Sequence, residues 1–258
     1  MFELEGRAAV ITGAASGIGA ATARIFAQAG ADVALAWFPG DPHDVEPVRA
    51  AVEAAGRRAV VVEVDVRRAE QVDALVERCV AELGRVDIAV ANAGIARTVA
   101  LEDLDDAAWN LTLDVDLNGA WRLFRAVLPH MQRAKYGRLI ATSSVAGTVS
   151  AWPQHPHYAA AKAGLVGLVQ NLAVDYGPDG ITANAVAPGV VVSPQSLDPI
   201  NSLGPDGVAA VAPRVPVRRV GVPEDIAYLY QYLASEEAGY LSGQLIVADG
   251  ARSLAGLD

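Results

Sequence analysis

Arg7-Ala8-Ala9-Val10-Ile11-Thr12-Gly13-Ala14-Ala15-Ser16-Gly17-Ile18-Gly19 is the stretch on which the fold turns. A short apolar run, Arg7–Thr12, ends in glycines spaced Gly-x3-Gly-x-Gly, and the helix formers of Ile18–Ala29 follow and stop at Gly30. A strand that passes this sharply into a helix needs residues without a Cβ. The helix start then presents unpaired N–H groups and the positive end of its dipole. The spacing is a variant of the Gly-x-Gly-x2-Gly dinucleotide fingerprint. A ligand-free strand–helix turn looks the same in isolation, so the weight rests on what surrounds it.

Outward from that turn the pattern repeats. Apolar runs at Asp32–Phe38, Ala59–Val64, Val86–Ala91, Arg138–Thr142, Ile181–Ala187 and Gln244–Ala248 alternate with helical periods at about 44–55, 69–83, 107–134, 157–176 and 223–234. Pro39-Gly40-Asp41-Pro42, Gly56 and Gly84 punctuate the junctions, and Pro223-Glu224-Asp225 opens the last helix. Seven strands joined by helices predict right-handed crossovers and an α/β fold. The expected form is a Rossmann-type, doubly wound, mostly parallel seven-stranded sheet with helices on both faces. Ala59–Val64 and Ile181–Ala187 are nearly all apolar, as strands covered on both faces must be. Residues 1–258 read as one domain. The stretch Ser193–Val222, with Pro194, Pro199, Pro205, Pro213 and Pro216, is expected as an irregular lid at about 193–222.

Composition narrows the function. Of 258 residues, 52 % are hydrophobic and 19 % charged, enough for a full core. A net charge of −10 argues against a nucleic-acid or anionic-membrane surface, which needs clustered Lys and Arg. Cys79 is the only cysteine, so neither an internal disulfide nor a cysteine zinc site forms. Met1–Gly6 does not read as a signal peptide, and the charge-free stretch 139–161 carries Ser, His, Gln and Pro rather than a membrane span. A cytoplasmic protein is expected. No third ligand accompanies His155 and His157 at metal spacing, so no metal site is expected.

Six further motifs follow in order. They are Asn92-Ala93-Gly94, Ser144 within Gly137–Ser144, Tyr158-Ala159-Ala160-Ala161-Lys162, Asn184-Ala185-Val186-Ala187-Pro188-Gly189, Pro223-Glu224-Asp225-Ile226-Ala227, and Ser242-Gly243-Gln244 with Asp249-Gly250. Together with the Gly-rich turn they resemble the short-chain dehydrogenase/reductase family over essentially the whole chain. The resemblance implies hydride transfer between NAD(P)H and a carbonyl/alcohol pair of a small or medium substrate such as a sugar, polyol, hydroxy acid or ketone. Imine reduction or epimerisation is the alternative on the same scaffold, and a catalytically silent dinucleotide-binding regulator is the alternative of another class. By the same resemblance Gly13, Ser16, Gly17, Ile18, Gly19, Trp37, Asp65, Val66, Asn92, Gly94, Tyr158, Lys162, Pro188, Gly189, Val191 and Ser193 would hold the cofactor. Ser144, Trp152, His155 and Tyr158 would meet the substrate. The small residues of the helix around Tyr158 suggest, by family analogy, a homotetramer.

The chemistry is legible in residue types. Tyr158 and Lys162 stand four apart, on one helix face. A phenol titrates near 10 in water, and bringing one to about 7 takes about 4 kcal/mol, within reach of a close ammonium and a bound nicotinamide's charge. Ser144 would polarise the substrate oxygen, with Ser143 beside it as a competing assignment. Asp116 stands where the family has Asn, and is expected to organise a proton relay as an acceptor. Trp37 occupies the position of the Asp that marks NAD users, so NAD or NADP both remain open. The lean is to NAD, because no cation is in place for a 2′-phosphate. The short cluster Arg214, Arg218, Arg219 reads as a solvated loop face, with an anionic partner as the alternative.

Overall fold

A computed structural model describes residues 2–255. Seven parallel strands form one sheet: β1 (Ala8–Thr12), β2 (Asp32–Trp37), β3 (Ala59–Glu63), β4 (Ile88–Ala91), β5 (Gly137–Thr142), β6 (Ile181–Pro188) and β7 (Leu245–Ala248). Their order is β3-β2-β1-β4-β5-β6-β7. The chain runs outward from β1 to one edge, returns to β4 on the other side, and runs out again. A crevice therefore opens above the carboxyl ends of β1 and β4, where doubly wound sheets receive ligands.

Each strand feeds two cores, because successive side chains point to opposite faces. In β1, Ala9 and Ile11 face α1 (Gly17–Gln28), α2 (Glu46–Ala54) and α9 (Pro223–Ala234), packing with Phe26, Val48, Ile226 and Tyr230. Ala8 and Val10 face α3 (Ala69–Leu83), α5 (Gly119–Ala134) and α6 (Pro156–Tyr176), packing with Leu75, Phe124 and Leu165. No helix of the described residues is long and apolar enough to cross a membrane.

Two expectations are corrected. The helical stretch 107–134 is three pieces: α4 (Asp106–Leu113), a single π turn Asp114–Asn118, and α5. A π turn widens the helix by one residue and re-aims the side chains it carries, and such turns gather at functional sites. Here it carries Asp116. The stretch 193–222, expected as an irregular lid, is not irregular: it folds into α7 (Pro194–Leu197) and α8 (Gly204–Val211), each with proline in its first turn, where a missing N–H costs nothing. Its two ends are tied together, since Val192 N–H donates to Gly221 O (2.9 Å) and Gly221 N–H to Val190 O (2.9 Å).

Cys79 lies on the buried face of α3, and burial together with the acids Asp87 and Glu82 pushes its thiol up to about 12. A thiolate is the reacting form. A disulfide reagent should therefore titrate no thiol in the native protein and one in denaturant. Rapid native labelling would show that α3 opens readily.

Candidate active site

The carboxyl ends of β1, β4 and β5 are stitched by side chains. Thr12 Oγ1 accepts from the backbone N–H groups of Asn92 (3.0 Å) and Ala93 (3.1 Å). The Asn92 amide donates to the carbonyls of Thr12 (3.1 Å) and Gly13 (3.2 Å). Thr142 Oγ1 donates to Asn92 Oδ1 (3.3 Å) and meets the Tyr230 hydroxyl at 2.7 Å. Burial pushes the Tyr230 phenol well above its ordinary value, so it stays a neutral brace.

Glycines shape the floor. Gly13 and Gly17 take φ of +65° and +52°, in the left-handed region. A Cβ at Gly19 would lie 2.1 Å from Gly13 O and 2.7 Å from Asn92 Nδ2, so helix α1 can approach the turn only with glycine there. Ser16 caps α1 without a side-chain hydrogen bond, which leaves the helix's first-turn amides for an anion. This cradle fits a dinucleotide diphosphate.

A cleft of about 370 Å³ opens over that floor. It gathers Gly13, Ser16, Gly17, Ile18, Asn92, Gly94, Ser144, Trp152, Tyr158, Lys162, Pro188, Gly189, Val191 and Ser193 from the residues expected by sequence. Gly19 lies beneath the turn, and Trp37 packs into the α1-side core. The Asp65 carboxylate is taken by Arg67 at 2.6 Å, which holds it below the usual carboxylate range, and Val66 is buried against Gly119. His155 stands behind Trp152 rather than on the cleft wall: the two rings stack at 3.6 Å, and the His155 nitrogens meet the carbonyls of Pro153 (2.7 Å) and Asn201 (3.2 Å). It thus ties the loop before α6 to the stretch 193–222.

The two serines separate cleanly. Ser143 Oγ donates to Lys162 O (2.8 Å), inside the protein. Ser144 Oγ accepts from Ala146 N–H (3.1 Å), which leaves its proton to donate into the cleft. Tyr158 is 6 % exposed, packed by Ala96, Ala146 and the edge of Trp152 (5.5 Å between centroids).

Lys162 Nζ lies 5.4 Å from the Tyr158 ring centre, donates to Thr142 O (3.0 Å) and faces Asp116 Oδ2 at 3.2 Å. That last contact is oblique, an ion pair rather than a directed hydrogen bond, so Asp116 Oδ2 is left with no hydrogen-bond partner. Asp116 Oδ1 accepts from Ile95 N–H (2.8 Å). Both groups are almost wholly buried. Burial drags the Lys162 ammonium down, but the Asp116 carboxylate and, after it, Tyr158 together more than reverse this, so the lysine sits above its ordinary value. Burial likewise raises the Asp116 carboxyl, with Lys162 and the Ile95 amide opposing. Asn118, two residues on, is occupied with Asp114 Oδ1 (3.2 Å) and takes no part.

Residues 13–251 match the family model described as enoyl-(acyl carrier protein) reductase. The fold superposes on a short-chain type dehydrogenase/reductase from Mycobacterium marinum with a TM-score of 0.91, at 34 % identity over 98 % of both chains. This chain is a short-chain dehydrogenase/reductase. It is similar to the cis-4-hydroxycyclohexanecarboxylate dehydrogenase of Sinomonas cyclohexanicum, 41 % identical over 95 % of each chain. It is also similar to the carveol dehydrogenase of Mycobacterium avium in complex with NAD (TM-score 0.90, 33 % identity, covering 98 % of this chain and 99 % of that one). As a short-chain dehydrogenase/reductase it binds a nicotinamide dinucleotide and moves hydride between it and the CH–OH group of a substrate.

Sequence reasoning missed Arg252, which lines the same cleft from beyond β7. No motif surrounds it, and only the strand order brings it near the site.

Proposed function

We propose that this short-chain dehydrogenase/reductase interconverts a secondary alcohol and its ketone on a small or medium substrate, using NAD, as a cytoplasmic homotetramer. Ser144, Tyr158 and Lys162 sharing one cleft is the observation that carries the reading. The dinucleotide, when bound, supplies the hydride acceptor for the alcohol and the donor for the ketone. Ser144 donates to the substrate oxygen and steadies its developing charge. Tyr158 exchanges the hydroxyl proton, and Lys162 places positive charge beside the phenolate so formed. Asp116 acts through Lys162 and is a positioning residue.

The preference for NAD is supported by the charges of the cleft. Its charged lining residues, among those described, are Asp41, Lys162 and Arg252. Asp41 follows β2, on the adenosine side, where a 2′-phosphate would need a cation. Of the basic cluster read from the sequence, Arg219 is paired with Asp225 (2.8 Å) and Arg218 donates to Pro213 O (2.8 Å). The relative from Sinomonas cyclohexanicum, named for a hydroxyl and a carboxylate on one ring, favours a hydroxy acid among the substrate classes. The tetramer is supported by the open outer face of α6, where Val174 is exposed and Gly167 meets nothing within 4 Å.

The test follows the near-ultraviolet absorbance of reduced nicotinamide with NAD or NADP and a panel of carveol, levodione, 4-hydroxycyclohexanecarboxylate and acyclic alcohols. Turnover with NAD well above that with NADP is expected. Dinucleotide binding with no turnover in any mixture would overturn the reading.

A further inference from the structure

The described residues that line the cleft include two cations, and only one of them has a partner. Lys162 is held by Asp116 and Thr142 O. Arg252 is half-buried, yet among the described residues its guanidinium has neither a hydrogen bond nor an ion pair. Its nearest acid in the chain is committed elsewhere: the Asp249 carboxylate accepts from the N–H groups of Ala251 (2.9 Å) and Ser253 (2.7 Å). That grip, with Gly250 and Ala251 both left-handed at φ of +64° and +68°, fixes the turn that carries Arg252. A Cβ on Gly250 would lie 2.6 Å from Val215 and Val217 in the stretch 193–222, so the turn is also packed in place.

Strand order locates the charge. Arg252 follows β7, the edge strand beyond β6, and Ser144 follows β5. Two strand spacings separate β5 from β7, about 10 Å. The diphosphate cradle after β1 lies four spacings away, about 19 Å, so Arg252 stands on the substrate side of the cleft. A guanidinium keeps its charge throughout the working pH range and offers a planar fork that fits a carboxylate in two parallel hydrogen bonds. Partly desolvated and unpaired, it recovers its lost hydration only when an anion arrives. One unpaired cation matches one negative charge, which favours a carboxylate over a phosphate dianion.

We infer that Arg252 receives a carboxylate of the substrate, so that the enzyme acts on hydroxy acids and the corresponding keto acids. This rests on the reading that Ser144 and Tyr158 hold the reacting oxygen. The experiment compares 4-hydroxycyclohexanecarboxylate with its methyl ester, in the wild type, Arg252→Gln and Arg252→Lys, with NAD. Wild type should prefer the acid. In Arg252→Gln the acid-over-ester preference in kcat/KM should fall by about 10–100-fold, chiefly through KM for the acid, and Arg252→Lys should restore part of it. A wild type indifferent to the charge, or an unchanged KM in Arg252→Gln, overturns the inference. So does a loss of NADH affinity in Arg252→Gln that matches the loss for the acid, since it moves the anion to the dinucleotide. Binding of unreactive cyclohexanecarboxylate to the NADH complex, read by tryptophan fluorescence, separates the two readings. If no alcohol turns over but this binding still weakens in Arg252→Gln, the reaction assignment fails and the anion site stands; equal binding by both proteins sinks the site.

Discussion

Tyr158→Phe is expected to lower kcat by about 10²–10⁴-fold while the affinity for NADH stays close to wild type. The variant isolates one oxygen atom. The ring sits among Ala96, Ala146 and Trp152, and phenylalanine fills the same space, so neither packing nor the edge-on contact with Trp152 is lost. What disappears is the group proposed to exchange a proton with the substrate oxygen beside Ser144. Steady-state rates with an alcohol, a fluorescence titration with NADH and a thermal midpoint separate lost chemistry from lost fold. A Phe variant that turns over within a few-fold of wild type would remove Tyr158 from the proton path and take the proposed mechanism with it.

Asp116→Asn should draw the alkaline limb of the pH–rate profile to lower pH. In the wild type the carboxylate 3.2 Å away holds the buried ammonium above the ordinary lysine value of 10.5. A raised lysine stabilises the fold fully below its unfolded value, and that contribution is lost only as pH climbs through the folded one. Asparagine keeps the size and the acceptor for Ile95 N–H but removes the charge. Burial then acts on Lys162 with only Tyr158 opposing it, and burial favours the neutral amine. At the alkaline end of the range the variant should fall roughly tenfold or more behind wild type, with the gap closing toward neutrality. The acid side has the opposite sign. Asp116 titrates above an ordinary carboxylate, so its ionised form costs stability near neutrality, and that cost is relieved as pH falls through its raised folded value. Profiles that overlay would show that the pair does not govern catalysis.

Most of the frame was legible in the sequence because it is written in local terms. Pro223–Ala234 carries its own start signal and Ala69–Leu83 its own stop at Gly84, and both helices form where those signals put them. The strands read as apolar runs bounded by Gly and Pro, correct to within two residues. The Gly-rich turn, Asn92, Ser144, Tyr158 and Lys162 meet in one cleft because each follows a strand end or lies on the helix after one. Four features escaped. A π turn shifts helical periodicity by a single residue, too little to stand out in the pattern of 107–134. In Gly204–Val211 the proline and two glycines read as loop, while Val208 and Val211 take the buried positions that make it a helix. His155 and Arg252 are set by contacts across 46 residues and by strand order, and neither is written in neighbouring residues.

The placement of β1 has a consequence for biosynthesis. It pairs with β2 on one flank and β4 on the other, with Ala9 opposite Ile88. A chain leaving the ribosome must therefore keep Ala8–Thr12 with one row of amides and carbonyls bare until Ile88–Ala91 has emerged. An unpaired strand edge of that kind is sticky, and long-range parallel pairing is slow to form. The nascent chain thus passes through an interval of exposure to aggregation, and chaperone protection matters most between the synthesis of β2 and that of β4.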